Sequence, residues 1–177
     1  MEKIKIDEHT LLRFAEKEDT PLILEFIRAL AEYENLLDMV EATEEDLRDC
    51  LFEKKMAELI ICEYDGRPAG FALFFHNFST FLGRPGIYIE DLFVRPEFRG
   101  RGLGKLLLEF IAETAVKRNC GRLEWACLNW NEPSIKFYKS QGARPLSEWT
   151  SYRVAGEQLR ALGRRFGEKR LNLTHRN

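Results

Sequence analysis

The apolar positions of the chain fall into two rhythms. Leu11 to Phe14, Ala57 to Tyr64 and Pro68 to His76 are short apolar runs, the last two rich in aromatic and β-branched residues. Such runs suit strands. Asp65-Gly66 between the last two is a hairpin signal. Leu22, Leu24, Phe26, Ile27, Leu30 and Ala31 recur instead at mixed three- and four-residue steps. They predict an amphipathic helix that ends near Tyr33-Glu34-Asn35. Asp19 is expected to cap it, with Thr20 and Pro21 at its entrance. Thr43 followed by Glu44-Glu45-Asp46 predicts a second helix start, with the short helix reaching about Phe52. Residues 1–9 are polar and charged and are expected to be loosely held.

In the second half, a loop with Gly83, Pro85 and Gly86 leads into a strand from Ile87 to Val94. Pro96 ends that strand, because proline cannot donate to a ladder. Arg99 to Gly104 opens a helix to about Arg118, with Leu106, Leu107, Phe110, Ile111 and Ala115 on its buried side. Arg122 to Leu128 reads as a strand. Asn131 caps a further helix with a first-turn proline, Pro133, and Gly142 stops it. Trp149 to Ala155 is expected as a last strand and Gly156 to Gly163 as a short helix. A three-strand meander followed by alternating helices and strands predicts an α/β (α+β) fold, a mixed sheet with helices on its faces. A chain of 177 residues fits one domain. The tail 164–177, with Arg164, Arg165, Lys169, Arg170 and Arg176 against Glu168, reads as a solvated basic terminus.

Composition narrows the function classes. The net charge of −2 gives no electrostatic ground for nucleic acid or membrane binding. No basic-then-apolar leader opens the sequence, and no apolar run approaches the roughly 20 residues of a membrane span. The cytoplasm is the expected compartment. Cys50, Cys62, Cys120 and Cys127 form no C-x-x-C pair. They are expected as reduced, mostly buried thiols. His9, His76 and His175 lie far apart with no zinc spacing, so no metal is expected.

The glycines carry the chemistry. Gly100, Gly102 and Gly104 are spaced by two, which fits neither the dinucleotide pattern G-x-G-x-x-G nor the Walker loop. Bare backbone N–H groups at a helix start, with Arg99 and Arg101 beside them, still suit a pyrophosphate. The carboxylates of Glu90 and Asp91 lie just upstream in the same strand. Arg99-Gly100-Arg101-Gly102-Leu103-Gly104 resembles the acetyl-CoA pyrophosphate motif of the GNAT superfamily of N-acetyltransferases, [RQ]-x-x-G-x-[GA]. Asn131 to Gly142 resembles its second cofactor motif, N-x-x-[AS]-x-x-F-Y-x-x-x-G. Within the superfamily, Leu30 to Glu34, Tyr88 to Val94 and Trp130 to Lys139 resemble the diamine acetyltransferases, which include the spermidine/spermine and the thialysine enzymes. The likeness covers about residues 11–162.

The resemblance implies an acetyl-CoA-dependent N-acetyltransferase with a splayed central strand pair. It implies transfer by direct attack of a small primary amine, a diamine, polyamine or thialysine-like compound, with no acyl-enzyme and no metal. Glu90 matches the residue that takes the amine proton, and Tyr138 the acid that protonates the CoA thiolate. Cofactor contacts carry over to Leu92, Phe93, Val94, Arg99, Gly100, Arg101, Gly102, Leu103, Gly104, Lys105, Asn131, Pro133, Ser134 and Tyr138. Amine contacts carry over to Tyr33, Glu34, Glu90, Asp91, Glu124, Trp125, Ala126 and Glu148. Acidic residues suit a polycation. Two departures from the family pattern matter. The segment Pro145 to Trp149 is shorter than in the animal spermidine enzymes, which bears on the alignment of Glu148. Asn129 stands where those carry an acid, and one charge fewer weakens the polyamine case and favours a thialysine or amino-acid amine. A protein or peptide acetyltransferase and a non-catalytic acyl-CoA-binding module are the alternatives. A homodimer is expected from the likeness and from apolar residues near Trp149 to Val154.

Overall fold

A computed structural model describes residues 3–174 of the protein. The chain divides into two compact units, Met1–Cys127 and Leu128–Asn177. The first holds a six-stranded sheet in the order of the sequence. Its strands are β1 (Lys3–Lys5), β2 (Thr10–Phe14), β3 (Glu58–Tyr64), β4 (Arg67–Ser79), β5 (Arg84–Val94) and β6 (Leu123–Trp125). Successive strands are antiparallel except β5 and β6, which run parallel. Helices α1 (Thr20–Tyr33) and α2 (Glu44–Arg48) lie between β2 and β3, and α3 (Leu103–Lys117) between β5 and β6. The mixed, mostly antiparallel sheet with helices matches the expected fold class.

Cross-strand partners share a face of a sheet, so the registers identify the two layers. Phe71 pairs with Phe93, and both pack in one buried cluster with Ile23 and Phe26 of α1. Phe26 and Phe71 stack with ring centres 5.1 Å apart. The opposite face carries Phe14, Ile60, Ala72 and Leu92, linked by register. There Phe14 meets Phe110 of α3 edge-on at 5.8 Å. The sheet is thus covered by α1 on one side and α3 on the other.

Local details differ from the expectations where a tertiary partner intervenes. Lys3–Lys5 are no loose end but an edge strand in register with Leu11 to Arg13. Asp19 precedes α1 but does not cap it through its side chain. Its carboxylate is taken by the Arg13 guanidinium at 2.7 and 2.8 Å and by the Glu16 N–H. Thr43 does cap α2, accepting from the Asp46 N–H at 3.2 Å, and a π-helical turn over Asp49–Glu53 follows. The β4–β5 hairpin is longer than expected, since Pro85 and Gly86 already pair with Phe78 and Asn77. In α3 the fully buried side is Leu103, Leu107, Leu108, Ile111 and Ala115, whereas Leu106 and Phe110 are half-buried. Of the cysteines only Cys62 is buried; all are free, and Cys50 is exposed. No described helix is long and apolar enough to cross a membrane.

The second unit holds α4 (Glu132–Ser140) and α5 (Gly156–Thr174). Gly142, with φ +86°, supplies the left-handed stop after α4. Trp149 to Ala155 forms no strand. A strand needs a ladder to satisfy its backbone groups, and no described strand pairs with this stretch. Trp149 and Tyr152 stand 75% and 93% exposed. The terminal helix runs well past Gly163, supported by Glu157, which pairs with Arg160 at 2.9 Å and Arg164 at 2.5 Å. Arg164 and Arg165 are exposed, as a solvated basic segment requires, whereas Arg176 lies outside the described residues.

Candidate active site

The site in the first unit is organised by one irregularity. Leu73 pairs with Asp91, but its neighbour Phe74 pairs with Ile89, so Glu90 is an extra residue with no partner on β4. This is a β-bulge, which bends a strand and re-aims its side chains. Before it, Ile87 and Ile89 lie on the α3 face with Phe74; after it, Asp91 and Phe93 lie on the α1 face with Leu73 and Phe71. Without the bulge Asp91 would face α3. Glu90 itself is exposed at the bulge.

The bulge gathers acids at one place. Burial pushes the Asp91 carboxyl up to about 6, and the charges of Glu90 and Glu34 push in the same direction. Burial also raises Glu34, at the C-terminal end of α1. Glu34 in turn adds to the burial that raises the Cys127 thiol. Three carboxylates thus share one partly dry neighbourhood, and the interaction of Asp91 with the other two opposes its ionisation. A cation placed there would relieve all three.

Beside this cluster the sheet opens. β6 pairs with β5 only from Ile87 to Ile89. Beyond Ile89, no described strand follows that edge of β5, while its other edge continues along β4 to Val94. Leu92, Phe93 and Val94 are therefore positioned to present backbone groups to a ligand. A short 3-10 turn over Pro96–Phe98 then leads into the glycine loop. Gly100 and Gly102 have φ of +75° and +80°, values that only glycine adopts readily, and Gly102 caps α3. Arg99 lies across this junction. Its Nε donates to the Val94 carbonyl at 3.0 Å, and its guanidinium sits 4.5 Å from the Tyr33 ring and 5.8 Å from that of Phe93. Lys105 pairs with Glu109 at 3.6 Å.

The expected amine residues separate into groups. Glu34, Glu90 and Asp91 come together, with Tyr33 adjoining in the chain. Glu124 pairs with Tyr88 and shares the Asp91 face, but its Oε2 is already held by Arg122 at 2.8 Å and by the Asn77 amide at 2.8 Å. Trp125 pairs with Ile89 and lies on the other face, and Ala126 follows the strand end, exposed. In the second unit Asn131 is buried and caps α4, accepting from the Ser134 N–H at 3.3 Å, with Pro133 in the first turn. Tyr138 is half-buried on α4, its ring 5.2 Å from that of Phe137. Glu148 is exposed in a turn.

Sequence reasoning missed a set of residues at the end of β3 and the start of β4. Arg67 lies over Phe98 at 5.0 Å, Arg101 lies over Tyr64 at 4.9 Å, and the two rings are 6.1 Å apart. No spacing in the chain signals such contacts, because the partners are more than thirty residues apart. Among the described residues no group of His, Cys, Asp and Glu could hold a metal ion.

The glycine loop at the helix start, the opened sheet edge and the carboxylate cluster at the bulge all adjoin the second half of β5. The profile of the Acetyltransferase (GNAT) family matches residues 23–143. The chain belongs to that family and is an N-acetyltransferase. It is 39% identical over 164 residues to the thialysine N-epsilon-acetyltransferase of Sus scrofa, covering 86% of this chain and 96% of that one. It is 47% identical over 94 residues to an L-ornithine N5-acetyltransferase of Arabidopsis thaliana, covering 53% of this chain and 41% of that one. A solved integron cassette protein from the mobile metagenome of V. cholerae has a TM-score of 0.75 at 28% identity, covering 89% of this chain and 99% of that one.

Proposed function

We propose that the protein transfers the acetyl group of acetyl-CoA to a small primary amine, of which a thialysine- or ornithine-like side-chain amine is the best candidate. The observation that carries this reading is the cluster of Glu34, Glu90 and Asp91 at the bulge, where an ammonium group offsets the mutual repulsion of the acids. The names of the relatives support the same substrate class. GNAT acetyltransferases use acetyl-CoA generally, and the loop fits it. Its glycines open backbone N–H groups at a helix start, and Arg99 and Arg101 have no carboxylate partner among the described residues. Acetyl-CoA supplies an activated thioester.

The protein's residues do the rest. An alkyl amine is almost wholly protonated near pH 7, so Glu90 takes its proton through water while Asp91 and Glu34 hold the ammonium form beforehand. Backbone N–H groups of Leu92 to Val94 hold the thioester oxygen and the pantetheine arm. Asn131, Pro133 and Ser134 contact that arm, and the backbone N–H groups of Arg99 to Lys105 grip the pyrophosphate. Tyr138 delivers a proton to the departing thiolate. No cysteine is used as a nucleophile. The family match, residues 23–143, includes residues of both units. The free thiols suit the reducing cytoplasm.

CoA release with a panel of amines tests the proposal. Turnover is expected with thialysine, ornithine, spermidine or a short diamine. Turnover on peptides alone would overturn the small-amine assignment. We place the protein as a homodimer in addition, because Trp149, Tyr152 and Val154 leave an apolar stretch exposed; light scattering should give twice the mass of one chain.

A further inference from the structure

We infer that Arg67 and Arg101, carried on the Phe98 and Tyr64 rings, form a second anion subsite beside the glycine loop and that this subsite takes the 3′-phosphate of acetyl-CoA. The inference rests on the proposed use of that cosubstrate. The hairpin turn at Asp65 and Gly66 sets Tyr64 opposite Arg67 at one end of the sheet. β5 runs into the 3-10 turn and the glycine loop at the same end, where Arg95 donates its N–H to neither β3 nor solvent but to the Ala69 carbonyl on β4 at 2.9 Å. Phe98, from that turn, is buried against Tyr64 at 6.1 Å. The tilted ring pair is therefore a fixed platform with a guanidinium on each member.

The cations around the loop differ in one respect. Arg95 is paired with Glu25 at 2.7 Å and Lys105 with Glu109 at 3.6 Å. Arg67 and Arg101 are exposed and have no carboxylate partner among the described residues. The nearest acid of the turn, Asp65, is taken up by His9, whose Nδ1 lies 2.6 Å away and whose ring stacks on Tyr64 at 5.6 Å. Two like charges held on one aromatic platform repel unless an anion joins them. Stacking pre-orients each guanidinium fork and leaves its N–H edge open, which suits bidentate binding of a phosphate. The glycine loop and the start of α3 already suit the pyrophosphate. A phosphate monoester, with its two charges, is the remaining anion of the cosubstrate, and it matches two guanidiniums better than a diester does.

The test compares CoA with 3′-dephospho-CoA by calorimetry on the full chain and on the variants Arg67→Gln and Arg67→Lys. The unaltered protein should bind CoA about tenfold more tightly than 3′-dephospho-CoA, the scale of one charge-assisted contact at a surface. Arg67→Gln should weaken CoA by a similar factor and leave 3′-dephospho-CoA unchanged, with Arg67→Lys in between. Equal affinity of the unaltered protein for both ligands would overturn the subsite and leave the acetyl-CoA reading intact. So would an equal loss for both ligands in Arg67→Gln. Binding of neither ligand by the unaltered, folded protein would overturn the acetyl-CoA reading itself.

Discussion

The guanidinium of Arg99 lies 4.5 Å from the centre of the Tyr33 ring. Arg99 opens the glycine loop, and Tyr33 ends α1 one residue before Glu34. The contact therefore joins the glycine loop to the helix end that carries Glu34 of the acidic cluster. Losing a partly exposed cation–π pair costs about 0.5–1 kcal/mol. Tyr33→Ala should raise KM for acetyl-CoA about two- to fivefold as well as disturb amine binding, whereas Tyr33→Phe should spare the acetyl-CoA KM. Initial-rate measurements with each substrate varied in turn would show it.

Glu90 sits in the bulge, exposed and without a ladder partner, so changing it should alter chemistry without unfolding the sheet. Glu90→Gln should lower kcat by about a hundredfold at pH 7, the lower end for a lost general base. The deficit should shrink as pH rises and the amine arrives already neutral. An unchanged kcat with an unchanged melting temperature would reject the assigned role.

Asp91 gives a signed pH dependence. Its carboxyl is raised to about 6 by burial first and by Glu90 and Glu34 second. A carboxyl raised above its unfolded value binds protons more tightly in the folded state. Its ionisation therefore costs stability increasingly from about pH 4 to 6, and the cost is full above 6. Asp91→Asn should thus raise stability by about 3 kcal/mol at pH 7.5, and by much less at pH 4.5. Urea melts at the two pH values compare them. For the amine the sign is opposite: KM should climb as pH falls through 6, because a neutral Asp91 no longer attracts an ammonium group, and Asp91→Asn should flatten that climb.

Tyr138→Phe should lower kcat about tenfold with little change in either KM. A thiolate is a modest base, so the loss lies below the usual range for general acids. Rapid-quench measurement of CoA release checks it. A larger effect on KM than on kcat would point to binding in place of proton delivery.

Asn131 caps α4 from a buried position. Asn131→Ala should cost about 1 kcal/mol of stability and Asn131→Asp much less. Thermal denaturation distinguishes a cap from a residue that only contacts ligand, whose loss would leave the melt unmoved.

Features that depend on near neighbours in the chain were legible in the sequence. The Asp65-Gly66 turn, the Thr43 and Asn131 caps, the helix-opening glycines and the apolar period of α1 each need only a few adjacent residues, so local chemistry determines them. The family motifs are of the same kind, short runs of near neighbours, and they pointed to the GNAT family to which the chain belongs. Tertiary structure decided what those residues do to one another. Asp19 serves Arg13 in place of α1, because the guanidinium six residues back takes both of its carboxylate oxygens, at 2.7 and 2.8 Å. Glu124 looks like a free acid in the sequence and is held by Arg122 and Asn77. Trp149 to Ala155 has strand composition, and no described strand pairs with it. A one-residue bulge at Glu90, invisible to a period-two pattern, turns Asp91 to the face of Glu34. The platform of Tyr64 and Phe98 under Arg67 and Arg101 is assembled from two stretches more than thirty residues apart. Bulges, ion pairs and stacked rings are settled by which strands lie side by side. That is a property of the folded chain as a whole, and no window of the sequence contains it.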